Sequence, residues 1–91
     1  MQYCEKCPEI DDYYPLYVET GWDEILKLNK QEANKAIQGS YTTISVYKKL
    51  QLIGFGRVLS DGVVYASIYD VIVKPELQNQ GIGFKIVKRL I

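Results

Sequence analysis

Histidine is absent from the 91 residues of this chain. That removes a histidine general base, the Ser-His-Asp and Cys-His nucleophiles, and any histidine-ligated metal. Cysteine is scarce. Cys4 and Cys7 enclose Glu5-Lys6, half the spacing of a four-ligand zinc site, and no second pair completes it. A thioredoxin-like redox pair opens a helix after a buried strand, whereas this pair sits at the extreme N-terminus. The two cysteines therefore read as structural or incidental, and no metal is expected. Net charge is also missing: eleven Lys plus Arg balance eleven Asp plus Glu. A neutral chain carries neither the basic footprint of a nucleic-acid binder nor an acidic tail. No apolar run approaches the ~20 residues of a membrane helix. Met1 to Lys6 does not read as a secretory signal, so a cytoplasmic protein is expected.

What is present is ordinary globular composition, 47% hydrophobic and 24% charged. A chain of this length makes one small domain with a thin core. No repeat, low-complexity segment or Gly/Ser linker divides it. Met1 to Cys4 reads as a short strand closed by Pro8. Ile10, Tyr13, Tyr14, Tyr17 and Val18 then fall at i, i+3, i+4, i+7 and i+8, one apolar face of a helix. Asp11 or Asp12 is the expected cap and Gly21 the residue after its end. Pro15 is tolerable only if that cap places it in or just past the first turn. Trp22, Ile25 and Leu26 form a second short apolar cluster. Asn29 with Glu32 three residues on is a capping-box signature, predicting a helix to about Gln38 that stops at Gly39. Ala33, Ala36 and Ile37 are its only apolar face, so it is expected at the surface.

From Tyr41 the apolar period becomes two. Tyr41 to Tyr47 reads as a strand with Ile44 and Val46 on one face. After a polar turn at Lys48-Lys49, Leu50 to Leu59 makes the next strand. Ile53, Phe55 and Leu59 are expected on one side, with Gly54, Gly56 and Val58 on the other. Two glycines on one face point to a closely approaching backbone or ligand. Ser60-Asp61-Gly62 is a hairpin signal. A long strand is expected from Val63 to Val73, ending at Lys74-Pro75. A helix follows from Gly81, with Ile82, Ile86, Val87, Leu90 and Ile91 as its apolar stripe. That stripe is still running at the last residue, with no capping signal, as if the domain were cut short.

Gln78-Asn79-Gln80-Gly81-Ile82-Gly83, between that strand and that helix, carries the chemistry. Glycines let the main chain approach a ligand, and the free N–H groups of a first helical turn suit a pyrophosphate. The dinucleotide fingerprint would need a third glycine near Ile86, and the Gly-Lys-Ser/Thr of a Walker loop is missing. On its own the segment reads equally as a tight strand-to-helix turn.

The pattern Q-x-x-G-x-G after Val71-Ile72-Val73-Lys74-Pro75-Glu76 resembles the central motif of the GCN5-related N-acetyltransferases (GNAT). The hairpin Leu52 to Arg57 with Asp61-Gly62, leading to Tyr69 to Val73, resembles bacterial members too, as does a helix followed by Gly21-Trp22. The resemblance covers nearly the whole chain. It implies a mixed α/β acyl-CoA N-acyltransferase fold with a mixed sheet, in the order β-α-α-β-β-β-α. The family continues with a fifth strand, a helix and a closing hairpin, so residues 1–91 are expected to be a single incomplete domain.

The resemblance further implies acetyl-CoA as co-substrate and acetyl transfer to a primary amine by direct attack. Main-chain groups of Val71, Ile72 and Val73 would meet the pantetheine arm. Gln78, Asn79, Gln80, Gly81, Ile82, Gly83 and Phe84 would hold the pyrophosphate. Asn79 departs from the Gly common in bacterial relatives, though Asn tolerates left-handed backbone. Direct attack needs a proton acceptor and an N–H for the oxyanion. Asp70 is the acidic residue nearest that centre, either touching the amine or relaying its proton, or else a hydrogen-bonded structural carboxylate at a bulge. Tyr65, Ser67 and Tyr69 are lesser candidates. Arg57 pairs with Asp61 or Asp70, or lines the substrate mouth. The alternative from another functional class is an inactive GNAT fragment acting as a folded interaction module. The open, hydrophobic edge of the strand Val63 to Val73 predicts a homodimer or higher assembly.

Overall fold

The computed structural model describes residues 1–91. Four strands, β1 (Gln2–Cys4), β2 (Thr42–Lys48), β3 (Gln51–Ser60) and β4 (Ala66–Val73), form one sheet in the order β1-β2-β3-β4. Helices α1 (Ile10–Glu19), α2 (Trp22–Leu26) and α3 (Lys30–Gln38) lie between β1 and β2, and α4 (Ile82–Leu90) follows β4. Every pairing is antiparallel. The fold is mixed α/β as expected, but the sheet is not mixed. The tight turns after β2 and β3 can only return the chain antiparallel.

Two apolar layers sandwich the sheet. On one side Tyr13, Leu16 and Tyr17 of α1 and Ala33 and Ile37 of α3 pack on Leu52, Phe55 and Ile72. Tyr13 meets the Phe55 ring edge-on with centroids 4.9 Å apart, a favoured aromatic geometry. On the other side Ile82 and Ile86 of α4 pack on Ile44, Val46 and Ile53. Gly54 and Gly56 make that contact possible. A Cβ on Gly56 would stand 2.5 Å from Ile86 Cγ2. The closely approaching neighbour implied by two glycines on one face is thus the α4 helix.

Several local expectations are corrected. The α1 cap is Glu9, whose side chain makes no capping bond; Asp11 and Asp12 lie inside the first turn. Pro15 therefore sits in the helix interior. It is exposed, so the Asp11 carbonyl that loses its partner faces solvent and the helix continues. Leu16, not Val18, completes the buried face. Trp22 to Leu26 forms a helix of its own after Gly21, which takes φ +86°. The Asn29–Glu32 capping box is present in both directions, at 2.8 and 3.0 Å, and α3 contributes Ala33 and Ile37 to the core instead of lying free on the surface.

The strand faces also change. Val46 opposes Gly54 and Tyr47 opposes Leu52, leaving Ile53 as an extra residue. This bulge turns Ile53 to the α4 side while Leu52 and Phe55 share the other. The β4 strand starts at Ala66 rather than Val63. Asp61 Oδ1 accepts N–H bonds from Val63, Val64 and Tyr65 at 2.9, 2.9 and 3.2 Å, which curls those residues into a turn. No helix is long and apolar enough to cross a membrane.

Candidate functional site

Beyond β4 the chain makes a 3-10 turn at Pro75–Leu77 and then two left-handed residues, Asn79 at φ +66° and Gly81 at φ +81°. Asn79 takes the conformation that its side chain tolerates best among non-glycine residues. These two inversions roll the main chain into a concave loop that delivers it to α4. A Cβ at Gly81 would meet nothing within 4 Å. Its backbone conformation, not crowding, is what requires glycine there.

The loop and helix start leave a run of unsatisfied donors. Leu77 and Gln78 donate to Lys74 and Pro75 carbonyls, and the next backbone donor is Lys85, to Gly81 at 3.1 Å. The six N–H groups from Asn79 to Phe84 donate to no group of the chain. With the positive end of the α4 dipole behind them, these donors are free to accept an anion. No acidic side chain lies in the first turn of α4. Gln78 braces the loop by donating from Nε2 to the Val73 carbonyl at 3.1 Å.

Beside these donors lies a cavity of about 240 Å³ lined by Val71, Val73, Leu77, Gln78, Asn79, Ile82 and Gly83. The apolar side chains make one wall and the loop the other. The structure thus gathers Val71, Val73, Gln78, Asn79, Ile82 and Gly83 around one cavity. Ile72 points the opposite way and is 2% exposed in the α1–α3 core. Gln80, Gly81 and Phe84 stand outside the cavity lining. Leu77 is a lining residue that sequence reading passed over. Its apolar character within the loop was the available signal.

Asp70 sits at a second bulge. Phe55 opposes Ile72 and Arg57 opposes Tyr69, so Asp70 and Val71 together face Gly56. Asp70 is left-handed at φ +54°. Its Oδ2 accepts from Arg57 Nε at 2.6 Å, with side chains only 14% and 16% exposed for Arg57 and Asp70. Arg57 Nη1 also donates to the Ala36 carbonyl at 2.9 Å. Of the three expected roles for Arg57, pairing with Asp70 is the one observed. The contact places the Asp70 carboxylate on the α3 side of the sheet, across from the cavity.

Tyr13 and Tyr17 share that side. Burial first, then the nearby Asp70 charge, pushes both phenols above their ordinary range. The Tyr17 hydroxyl is buried without a partner. Tyr65, Ser67 and Tyr69 are exposed and are not among the residues lining the cavity. Cys4 and Cys7 are free thiols. Burial and then Glu9 raise the Cys7 thiol above its usual value, which disfavours a reactive thiolate.

Residues 9–91 match the acetyltransferase (GNAT) domain family. The chain belongs to the GNAT family. This GNAT chain is 33% identical over 86 residues to an uncharacterized N-acetyltransferase of Gracilaria tenuistipitata var. liui, an alignment covering 90% of the chain and 46% of that relative. Over 41 residues, 45% of the chain and 17% of the relative, it is 54% identical to GCN5-related N-acetyltransferase 3, chloroplastic, of Arabidopsis thaliana. Among solved structures, a probable acetyltransferase from meticillin-resistant Staphylococcus aureus superposes with a TM-score of 0.83 at 27% identity. That match covers 97% of this chain and 64% of the other. A GNAT family acetyltransferase from Brucella melitensis, solved in complex with acetyl-CoA, shares the fold with a TM-score of 0.68 at 17% identity, covering 97% of this chain and 64% of that one. The chain therefore spans about half the length of the Gracilaria relative, which it matches along most of its own.

Proposed function

We propose that this chain forms the coenzyme-binding part of an acetyl-CoA-dependent N-acetyltransferase that acetylates a primary amine by direct attack. The observation that carries this reading is the run of six partnerless N–H groups, Asn79 to Phe84, at the rim of the 240 Å³ cavity. Unsatisfied donors of this kind favour an anion and suit a pyrophosphate. The apolar wall of Val71, Val73, Leu77 and Ile82 suits the pantetheine arm. The thioester supplies the activated acetyl group. The main chain of Val71 to Val73, Ile72 included, would align the arm, and Gln78, Asn79, Gln80, Gly81, Ile82, Gly83 and Phe84 would hold the phosphates. For Asp70 the 2.6 Å contact with Arg57 favours the role of a bulge carboxylate over a proton relay. Asp70→Asn in a full-length relative-sized chain separates the two: a proton relay loses turnover with acetyl-CoA affinity unchanged, whereas a bulge carboxylate loses both.

Isothermal titration of acetyl-CoA into the chain tests the reading, and the expected outcome is saturable binding. Absence of any saturation overturns it. Gly81→Val should abolish that binding, because φ +81° is closed to a β-branched residue.

A second reading is favoured by the short span of the relative matched. Residues 1–91 are then an incomplete GNAT domain that binds without turning over, a folded interaction module. Turnover by the 91-residue chain with a broad amine panel would refute it. Assembly into a homodimer through the free outer edge of β4 is proposed on Ile68 and Tyr69, both exposed. Sedimentation equilibrium at micromolar concentration checks it, and a stable monomer of 10.5 kDa overturns it. Fractionation decides between the cytoplasm expected from sequence and the plastid suggested by the chloroplastic Arabidopsis relative.

A further inference from the structure

The bulge that shapes the cavity wall is held by a side chain on the far side of the sheet. A left-handed aspartate inside a strand is strained and persists only where its surroundings over-determine it. At Asp70 the surroundings are Arg57. One nitrogen of its fork binds Asp70 at 2.6 Å and another binds the Ala36 carbonyl near the end of α3 at 2.9 Å. Ser40 Oγ stands 3.5 Å from the same nitrogen. The ion pair is largely shielded, so neither charge can turn to water when the other is removed.

The bulge has a consequence one residue on. Because Asp70 and Val71 both oppose Gly56, the strand changes phase there. Tyr69, the cross-strand partner of Arg57, shares its face with Asp70. Val71 returns to the α4 side, where it lines the cavity with Val73 and Gly83. A strand that loses the bulge slips by one residue and exchanges its faces.

We propose that Arg57 is the positioning residue of the coenzyme groove: by clamping Asp70 in its left-handed conformation and tying it to α3, it sets the phase of β4 that turns Val71 and Val73 into the groove. The proposal rests on the coenzyme reading for its function, but not for its geometry. Arg57 is not a lining residue of the cavity, and its side-chain bonds go to Asp70, Ala36 and Ser40, so it acts on the groove through Asp70.

Three variants test it, read by backbone amide NMR of the free chain and by titration with acetyl-CoA. Arg57→Met strands the Asp70 carboxylate. It should shift the Val71, Val73 and Gly83 amides and weaken binding by about tenfold or more, since an unpaired buried charge forces rearrangement. Arg57→Lys keeps a charge but cannot span both partners, and should fall between wild type and Arg57→Met. Arg57→Met with Asp70→Gly removes the carboxylate and leaves a residue free to adopt φ +54°. It should return the groove amides and bring affinity to within about threefold of wild type.

A purely stabilising role would lower the unfolding midpoint of Arg57→Met without moving the groove amides. That result overturns the proposal, as does a folded double variant that fails to restore them. Should Arg57→Met not fold, unshifted Val71 and Val73 amides in Arg57→Lys overturn it equally. If wild type does not bind acetyl-CoA, the coenzyme reading fails, while the amide shifts still decide whether Arg57 sets the groove.

Discussion

The two ends of β4 pair with the same strand and are both rich in apolar residues, yet they live in different environments. At the C-terminal end Ile72 is 2% exposed, and Val71 and Val73 are partly covered by α4. At the N-terminal end, before the bulge, Ile68 is 37% and Tyr69 49% exposed. Strand propensity does not separate Ala66-Ser67-Ile68-Tyr69 from Val71-Ile72-Val73. What separates them is cover. Pairing satisfies the main chain, but only helices packed on both faces remove the side chains from water. The covered end then becomes the wall of the groove, and the uncovered end is held by the polar turn that precedes it.

Deleting side chains at each end should expose the contrast most strongly. Ile72→Ala is expected to cost ~2–5 kcal/mol, because transfer energy and cavity cost add in a packed core. Ile68→Ala should cost less than about 1 kcal/mol, as a partly solvated residue loses little. Urea denaturation of both variants checks this, and comparable losses would erase the distinction drawn between the ends.

Glycines give a smaller version of the same comparison. Gly56, opposite the bulge, would place a Cβ 2.5 Å from Ile86 Cγ2 and 3.1 Å from Leu90 Cδ1. Gly56→Ala should therefore cost ~1–3 kcal/mol by overpacking the α4 layer. At Gly83 the nearest atoms, on Val73 and Val71, lie 3.8 and 3.9 Å away, an ordinary contact. Gly83→Ala should be neutral or stabilise α4 by up to ~1 kcal/mol. Thermal unfolding reads both signs.

Apart from the short helix α2, read only as an apolar cluster, the order of elements was legible in the sequence because each has a local signature. Asn29 with Glu32 announced α3, the alternation from Tyr41 announced β2, and Gly81 with Gly83 announced the loop into α4. The candidate site was legible for the same reason, being built of main chain punctuated by glycine and asparagine. What stayed hidden depends on non-local pairing. The Ile53 bulge moved one isoleucine from the expected face to the other, and nothing within Leu50 to Leu59 encodes where β2 shifts register. Val63 to Tyr65 carry strong strand propensity and still form a turn, because three N–H bonds to one carboxylate outweigh it. The commitment of Arg57 to Asp70 instead of Asp61 likewise follows from the register between β3 and β4.

That turn supplies the last and smallest test, at the uncovered end. Asp61 Oδ1 gathers the N–H groups of Val63, Val64 and Tyr65, and these bonds hold its carboxyl below the ordinary carboxylate value. Ser60 Oγ completes the turn, donating to the Tyr65 carbonyl at 2.7 Å and accepting from Gly62 N–H at 2.9 Å. The folded form therefore prefers the ionised carboxyl more than the unfolded chain does. Its contribution is complete above the unfolded value of about 3.9 and is lost as pH falls through the lower folded value. Amide exchange followed from about pH 5 to about pH 2 should show protection at Val63, Val64 and Tyr65 falling first, with Ile72 unchanged over the same early range. Asp61→Asn should remove that early step, because an amide oxygen still accepts the N–H bonds but does not titrate. Simultaneous loss at Tyr65 and Ile72 would mean that the two ends of β4 open as one unit, and that the covered end does not hold independently of the turn.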